Sequence, residues 1–165
     1  MNVVLCGMMG CGKTAVSEAY SRVYGVKKVD TDAVIVDRYG EINAIFATQG
    51  EKAFRDIETD ITKEVASSFS DAVISLGGGC VLRSQNVEAL RQTGKIFYLR
   101  TRADTIIKRL KGDSTRPLLQ GDLEERVNTI LANRSSIYES VADYIIDTDG
   151  LTPEEIAQRI RAEIV

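Results

Sequence analysis

The stretch GMMGCGKT, Gly7 to Thr14, follows the apolar run NVVLC and leads into AVSEAYSRVYG, whose pattern is helical. It matches G-x-x-x-x-G-K-[ST] in full through Gly7, Gly12, Lys13 and Thr14, with a strand before it and a helix after it. Glycines at these places let successive backbone N–H groups converge on an anion, and the helix start adds the positive end of its dipole. The Lys13 ammonium then supplies charge to outer phosphates, and the Thr14 hydroxyl is a magnesium ligand. A turn that merely closes a strand–helix unit is the bland alternative. Position 15 is Ala, so no second hydroxyl follows, and an inner phosphate depends more on the backbone donors of Gly10, Cys11, Gly12 and Ala15.

The rest of the chain repeats the strand–helix rhythm. AVISL (72–76), KIFYL (95–99) and DYIIDT (143–148) read as further strands, and KKVDTD (27–32) as a weaker fifth. Their hydrophobicity is continuous rather than alternating, which predicts strands covered on both faces, as in a parallel sheet flanked by helices. Between them, GEKAFRDIETDITKEVASSF places Ala53, Phe54, Ile57, Ile61 and Val65 at helical spacing. SQNVEALRQTG is expected to start on a Ser cap and stop at Gly. In the last helix Thr152 caps, Pro153 takes the first helical position and Glu155 completes a capping box. One segment breaks the rhythm: in KGDSTRPLLQGDLEER, Gly112 and Gly121 bracket Asp113, Arg116 and Pro117. An arginine on a glycine-bounded segment fits a mobile lid over bound phosphates as well as it fits a plain surface loop.

With 165 residues and 44% hydrophobic content, one domain with a full core is expected. The net charge is -3 and the 21 basic residues are dispersed, so no nucleic-acid or membrane-binding face is expected and a small-molecule partner is favoured. The chain has no histidine, which excludes imidazole-based catalysis and a His/Cys metal site. Cys6, Cys11 and Cys80 have no C-x-x-C spacing and read as ordinary thiols of a reducing compartment; with no signal-like segment or membrane-length apolar run, a cytoplasmic location is expected.

A phosphate loop alone does not separate a switch GTPase, a motor and a kinase. No N-K-x-D stretch is present, and the D-x-x-G at Asp147 to Gly150 lies too late in the chain for a switch segment. Two DTD triplets, Asp30 with Asp32 and Asp147 with Asp149, both follow strands and so belong at the sheet edge where α/β proteins bind ligands. Local sequence does not rank them, and either could cap the next helix. Arg55 and Glu58, three apart, read most simply as a solvated intrahelical pair. Gly77 to Gly79 at a strand end would let a ligand approach bare backbone. Arg116 and Arg134 are further guanidiniums suited to a carboxylate or phosphate.

Six motifs in order, GMMGCGKT, DTD at 30–32, FR at 54–55, GGG at 77–79, RPLL at 116–119 and NRSSIY at 133–138, resemble the shikimate kinase family and span nearly the whole chain. The resemblance implies a single-domain α/β P-loop kinase fold over 1–165, with a five-stranded parallel sheet flanked by helices, a mobile lid at about 112–122 and a shikimate-binding helical region at about 31–62. It implies ATP-dependent phosphorylation of the 3-hydroxyl of shikimate, with shikimate and ATP as partners, Mg2+ as cofactor and a monomer as the working form. By motif match Asp32 holds the substrate hydroxyls nearest the attacking oxygen, while Arg55 and Arg134 clamp the carboxylate and Gly77, Gly78 and Gly79 line the pocket. Arg116 reaches the phosphates beside Lys13, Arg109 packs on adenine, and Asp30 sits near the magnesium through water, with Thr14 as direct ligand. Lys13, Asp32 and Arg116 then form the catalytic set, and the tie between the triplets breaks toward the first. Two departures bear on ATP affinity: Ala15 replaces a hydroxyl residue of many relatives, and Gly150 and Leu151 stand where some carry a basic residue. Another small-acid kinase, gluconate-like, and a non-catalytic binding module are the alternatives.

Overall fold

Five short apolar segments set the frame in the computed structural model, which describes residues 1–112 and 122–165. They form strands β1 (Asn2–Cys6), β2 (Lys27–Asp30), β3 (Ala72–Ser75), β4 (Gly94–Arg100) and β5 (Tyr144–Asp147), all parallel, in the order β2-β3-β1-β4-β5. The register is direct: Val4 lies between Ile74 of β3 and Ile96 of β4.

Continuous hydrophobicity in β1 has the expected cause, because both faces of the sheet are covered. Val3 and Leu5 enter one cluster with Val16, Ala19 and Tyr20 of α1 (Lys13–Tyr24) and Ile156, Ala157 and Ile160 of α8 (Pro153–Ile164). Val4 and Cys6 enter the other cluster, against α2 (Thr31–Tyr39), α3 (Ile42–Gln49), α4 (Glu51–Ser68), α5 (Ser84–Thr93), α6 (Ala103–Lys111) and α7 (Leu123–Val141). Each fully buried Leu or Ile in such a layer contributes about 1.5–3 kcal/mol through its removal from water.

The helix ends test the finer expectations. Thr152 caps α8 by accepting from the Glu155 N–H, with Pro153 at the first turn, but its hydroxyl rather than its backbone N–H meets the Glu155 carboxylate, at 3.2 Å, so among the described residues only the forward half of the expected capping box forms. Ser84 does not cap α5: Arg83 holds the N-cap position without a side-chain bond, and Ser84 is already helical. The helix begins one residue early because the short 3-10 turn Cys80–Leu82 feeds straight into it and Asn86, reaching back to the Cys80 carbonyl at 2.9 Å, secures the junction. Gly112 ends α6 and Asp122 caps α7, whereas the expected lid between them, with Arg116, lies outside the described residues.

Because β1 is central and the chain builds first one side of it and then the other, the loop after β1 opens where the strand order reverses. That is the usual binding crevice of an open parallel sheet.

Candidate active site

The loop after β1 has the geometry that its glycines predict. Gly7 has φ 145°, and a Cβ there would lie 2.8 Å from the Cys11 sulfur, so the tight return admits only glycine. Gly12 occupies the N-cap of α1 in the left-handed region, and α1 has neither a side-chain cap nor an acidic residue in its first turn. Its first N–H groups therefore keep their capacity for an anion. Lys13 curls back so that its Nζ donates to the Gly7 carbonyl at 2.6 Å and the Met8 carbonyl at 3.2 Å. Arg109, from the last turn of α6, donates to the Gly10 carbonyl at 3.0 Å, which brings a second cation onto the loop. Thr14 and Ala15 are exposed in the first turn of α1.

The second half of the site grows from the end of β3. Gly78 abuts the phosphate loop: a Cβ on it would lie 3.8 Å from the Gly7 oxygen and from the Met9 nitrogen, and 3.5 Å from the Arg134 guanidinium of α7. A Cβ on Gly79 would come within 2.5 Å of the Arg55 guanidinium, and one on Gly77 within 2.6 Å of Asp32 Oδ1 and 3.0 Å of Glu58 Oε2. The three glycines thus make room first for the protein's own charged groups, from three different helices, and the bare backbone is the floor on which those groups meet. Thr31, wholly buried at the start of α2, accepts from the Gly77 N–H at 3.3 Å and lies 3.4 Å from the Ser75 oxygen, which pins the next residue, Asp32, over this floor.

Arg55 and Glu58 are not a solvated pair. Their ion pair is 2.8 Å long with side-chain exposures of 15% and 1%, because α4 turns this face toward the end of the sheet. Burial raises the Glu58 pKa, and the Arg55 hydrogen bond opposes the rise without cancelling it. A buried ion pair of this kind costs desolvation and is weak evidence for stability alone. Its consequence here is a guanidinium fixed in place, with Nη1 and Nη2 toward Gly79 and Nε 3.8 Å from the Glu51 carboxylate.

The first DTD triplet divides its work. Asp30 accepts from the Ala33 N–H at 3.1 Å and so caps α2. Asp32 Oδ1 is buried with no hydrogen-bond partner among the described residues. Burial, followed by repulsion from Asp30 and Glu58, pushes the Asp32 carboxyl up to about 6, and Lys13 and Arg55 offset only part of this. The second triplet is satisfied. Asp147 is bound by Arg100 at 2.6 and 2.9 Å, and Asp149 accepts from the Arg102 N–H at 2.9 Å and from the Thr105 hydroxyl at the start of α6. Both have lowered pKa values: the Arg100 hydrogen bond leads for Asp147, and for Asp149 the bonds from Thr105 and Arg102 outweigh an opposing burial effect.

Residues 9–165 match the family model of shikimate kinase. The shikimate kinase of Thermodesulfovibrio yellowstonii is 45% identical over 164 residues, covering 98% of this chain and 94% of that protein. The enzyme of Caldicellulosiruptor bescii is 42% identical, over 96% of this chain and 92% of its own. Among solved structures, Acinetobacter baumannii shikimate kinase in complex with shikimate superposes with a TM-score of 0.90 at 35% identity, covering 99% of this chain and 92% of that one. The chain belongs to the shikimate kinase family. It is therefore a kinase, and the five-stranded parallel sheet is that of its family.

Of the residues read from shikimate kinase motifs, the fold brings Asp32, Arg55, Arg134 and Gly77–Gly79 into one cluster next to Lys13 and the phosphate loop, and sets Arg109 against that loop. Arg116 is outside the described residues. Sequence spacing does not reveal two side chains that build the cluster, Thr31 and Glu58. The only signal for Glu58 is its i,i+3 relation to Arg55, which many exposed pairs share. Among the described residues no group of three or more His, Cys, Asp or Glu is arranged to hold a metal, and no helix is long and apolar enough to cross a membrane.

Proposed function

We propose that this chain transfers the γ-phosphoryl group of ATP to the 3-hydroxyl of shikimate, giving shikimate 3-phosphate and ADP in the route to chorismate and the aromatic amino acids. One observation carries the reading: Asp32, Arg55 and Arg134 converge over the Gly77–Gly79 turn, and that turn lies against the phosphate loop. A carboxylate acceptor with hydroxyls on its far side suits two guanidiniums at one end and an unsatisfied carboxylate at the other.

In this reading Arg55, held by Glu58, and Arg134 take the shikimate carboxylate, while Asp32 accepts the hydrogen bond of the attacking hydroxyl. With its pKa near 6, Asp32 is ionised at neutral pH yet basic enough to take a proton as the transfer proceeds. The hydroxyl oxygen bonds to the γ-phosphorus, the bridging P–O bond to ADP breaks, and the hydroxyl proton passes to Asp32. Lys13 exchanges the Gly7 and Met8 carbonyls for phosphate oxygens, joined by backbone N–H groups from Gly10 to Ala15. Arg109 borders the adenine, and Arg116 closes from the lid at about 112–122 to complete the cationic cage. The helical region at about 31–62 carries the acceptor side of one 1–165 domain.

The available donors fit Mg2+, which takes few hard oxygen ligands and keeps most of its water. The Thr14 hydroxyl is exposed at the phosphate loop, and Asp30, through water, offers a carboxylate oxygen beyond the one that caps α2. The ion would neutralise charge on the β- and γ-phosphates. We place the working form as a cytoplasmic monomer; the free, buried state of Cys6, Cys11 and Cys80 supports a reducing compartment.

The test is an ADP-release assay with ATP and magnesium, comparing shikimate with quinate, gluconate and nucleoside monophosphates. Release dependent on shikimate is the expected result. Release driven by gluconate instead, or none with any acceptor despite ATP binding, would overturn the reading.

A further inference from the structure

The Tyr138 side chain is wholly buried in α7, yet its hydroxyl does not end in the core. It donates to the Gly78 carbonyl at 2.6 Å, sixty residues away in the acceptor turn. The ring rests on Tyr98 of β4, with centroids 5.0 Å apart, which leaves the phenol one direction in which to point. Tyr138 stands four residues after Arg134, so both project from the same face of α7, one turn apart. That face therefore supplies Gly78 with two neighbours, the Arg134 guanidinium on its Cα side and the Tyr138 hydroxyl on its oxygen.

The carbonyl of Gly78 and the N–H of Gly79 share one rigid peptide plane and point in opposite directions, since every described peptide is trans. A grip on the oxygen thereby sets the aim of the N–H. Neither glycine has a side chain to lock the plane by packing, and among the described residues the Gly79 N–H donates to nothing. Its flanks are the Arg55 guanidinium at Gly79 and the Arg134 guanidinium at Gly78, the two groups arranged for an anion.

We propose that Tyr138 is a positioning residue: by holding the Gly78 carbonyl it fixes the Gly78–Gly79 peptide plane, and with it the aim of the Gly79 N–H, in the turn against which Arg55 and Arg134 stand. This rests on the functional reading above. Burial pushes the Tyr138 phenol up to about 12, against the influence of Arg134, so it remains a donor throughout any workable assay range.

The experiment uses Tyr138→Phe, which removes one oxygen and keeps the ring. Tyr20→Phe serves as the control, since Tyr20 is equally buried in the cluster on the other face of the sheet. Initial rates are measured with shikimate varied at saturating ATP and with ATP varied at saturating shikimate. Tyr138→Phe should raise the shikimate KM about five- to ten-fold, the worth of one hydrogen bond, with the ATP KM within about two-fold of wild type. Tyr20→Phe should lower Tm comparably and move neither KM. An unchanged shikimate KM in Tyr138→Phe, or a parallel rise in both KM values, overturns the proposal. Wild-type chain without shikimate-dependent turnover overturns the functional reading instead, so the two failures are distinct. Should Tyr138→Phe not fold, hydrogen exchange of the wild type decides. The Cys80 amide, which closes the turn onto the Gly77 oxygen, should exchange at the rate of the α7 amides around Tyr138, and faster independent exchange would contradict the coupling.

Discussion

The two DTD triplets have the same sequence and the same address, the carboxyl end of a parallel strand, and opposite states. At the end of β5, Asp147 and Asp149 have donors from Arg100, Arg102 and Thr105 and lowered pKa values. At the end of β2, Asp32 has a buried oxygen without a partner among the described residues, two carboxylates nearby and a pKa near 6. A fold tolerates a carboxylate in that second condition only against its own stability, which supports our proposal that Asp32 serves the chemistry, whereas the satisfied triplet holds β5 and α6 together.

Replacing one aspartate in each triplet should split activity from stability. Asp32→Asn is expected to lower kcat by a factor on the order of 100 to 10,000, the range of a lost proton acceptor. The same change should raise Tm by several degrees, because a neutral group no longer bears the cost of burial; a shift from 3.8 to about 6 corresponds to about 3 kcal/mol at most. Asp149→Ala should do the reverse: kcat within about three-fold of wild type and a loss of about 1–2 kcal/mol from the start of α6, read as a Tm drop of roughly 2–8 °C. An Asp32→Asn chain that is both active and less stable would erase the contrast.

The pH dependence carries the same opposition. Activity should fall as pH drops through about 6, when Asp32 takes up its proton, toward a ten-fold loss in kcat/KM for shikimate per pH unit. Stability from Asp32 runs the other way, since a raised folded pKa contributes stability that is complete below the unfolded value near 3.9 and lost as pH rises through about 6. Asp147 and Asp149, with depressed values, contribute above the unfolded pKa and lose that contribution as pH falls through their folded values. Thermal melts of wild type, Asp32→Asn and Asp149→Ala from pH 4 to 8 separate these trends. The smallest effect belongs to Asp147→Ala, whose partner Arg100 is half-exposed: below about 1 kcal/mol, shrinking further in high salt.

Most of the frame was legible because strand signals are local. NVVLC coincides with β1, AVISL, DYIIDT and KKVDTD each contain their strand, and KIFYL lies inside β4, which runs one residue further at each end, since burial on both faces leaves an unbroken apolar run. The Thr152 cap with Pro153 after it is equally local. Relations across the chain were not legible from spacing. Arg55 and Glu58 look like a surface pair until α4 is seen to turn them against Gly77 and Gly79, and the glycines look like a ligand's approach until the Arg55 guanidinium is found where a Cβ would stand. Motif resemblance, not local pattern, ranked the triplets. In support of that ranking, which remains our proposal, Asp32 Oδ1 has no hydrogen-bond partner among the described residues.

The most direct test is a carboxyl-carbon NMR titration of the aspartates in one sample, repeated with shikimate and ADP. Asp32 should titrate near 6 and respond to shikimate, while Asp147 and Asp149 titrate below the ordinary carboxylate range and do not respond. An Asp32 that titrates near 4 and ignores shikimate would contradict the assignment of the first triplet to catalysis.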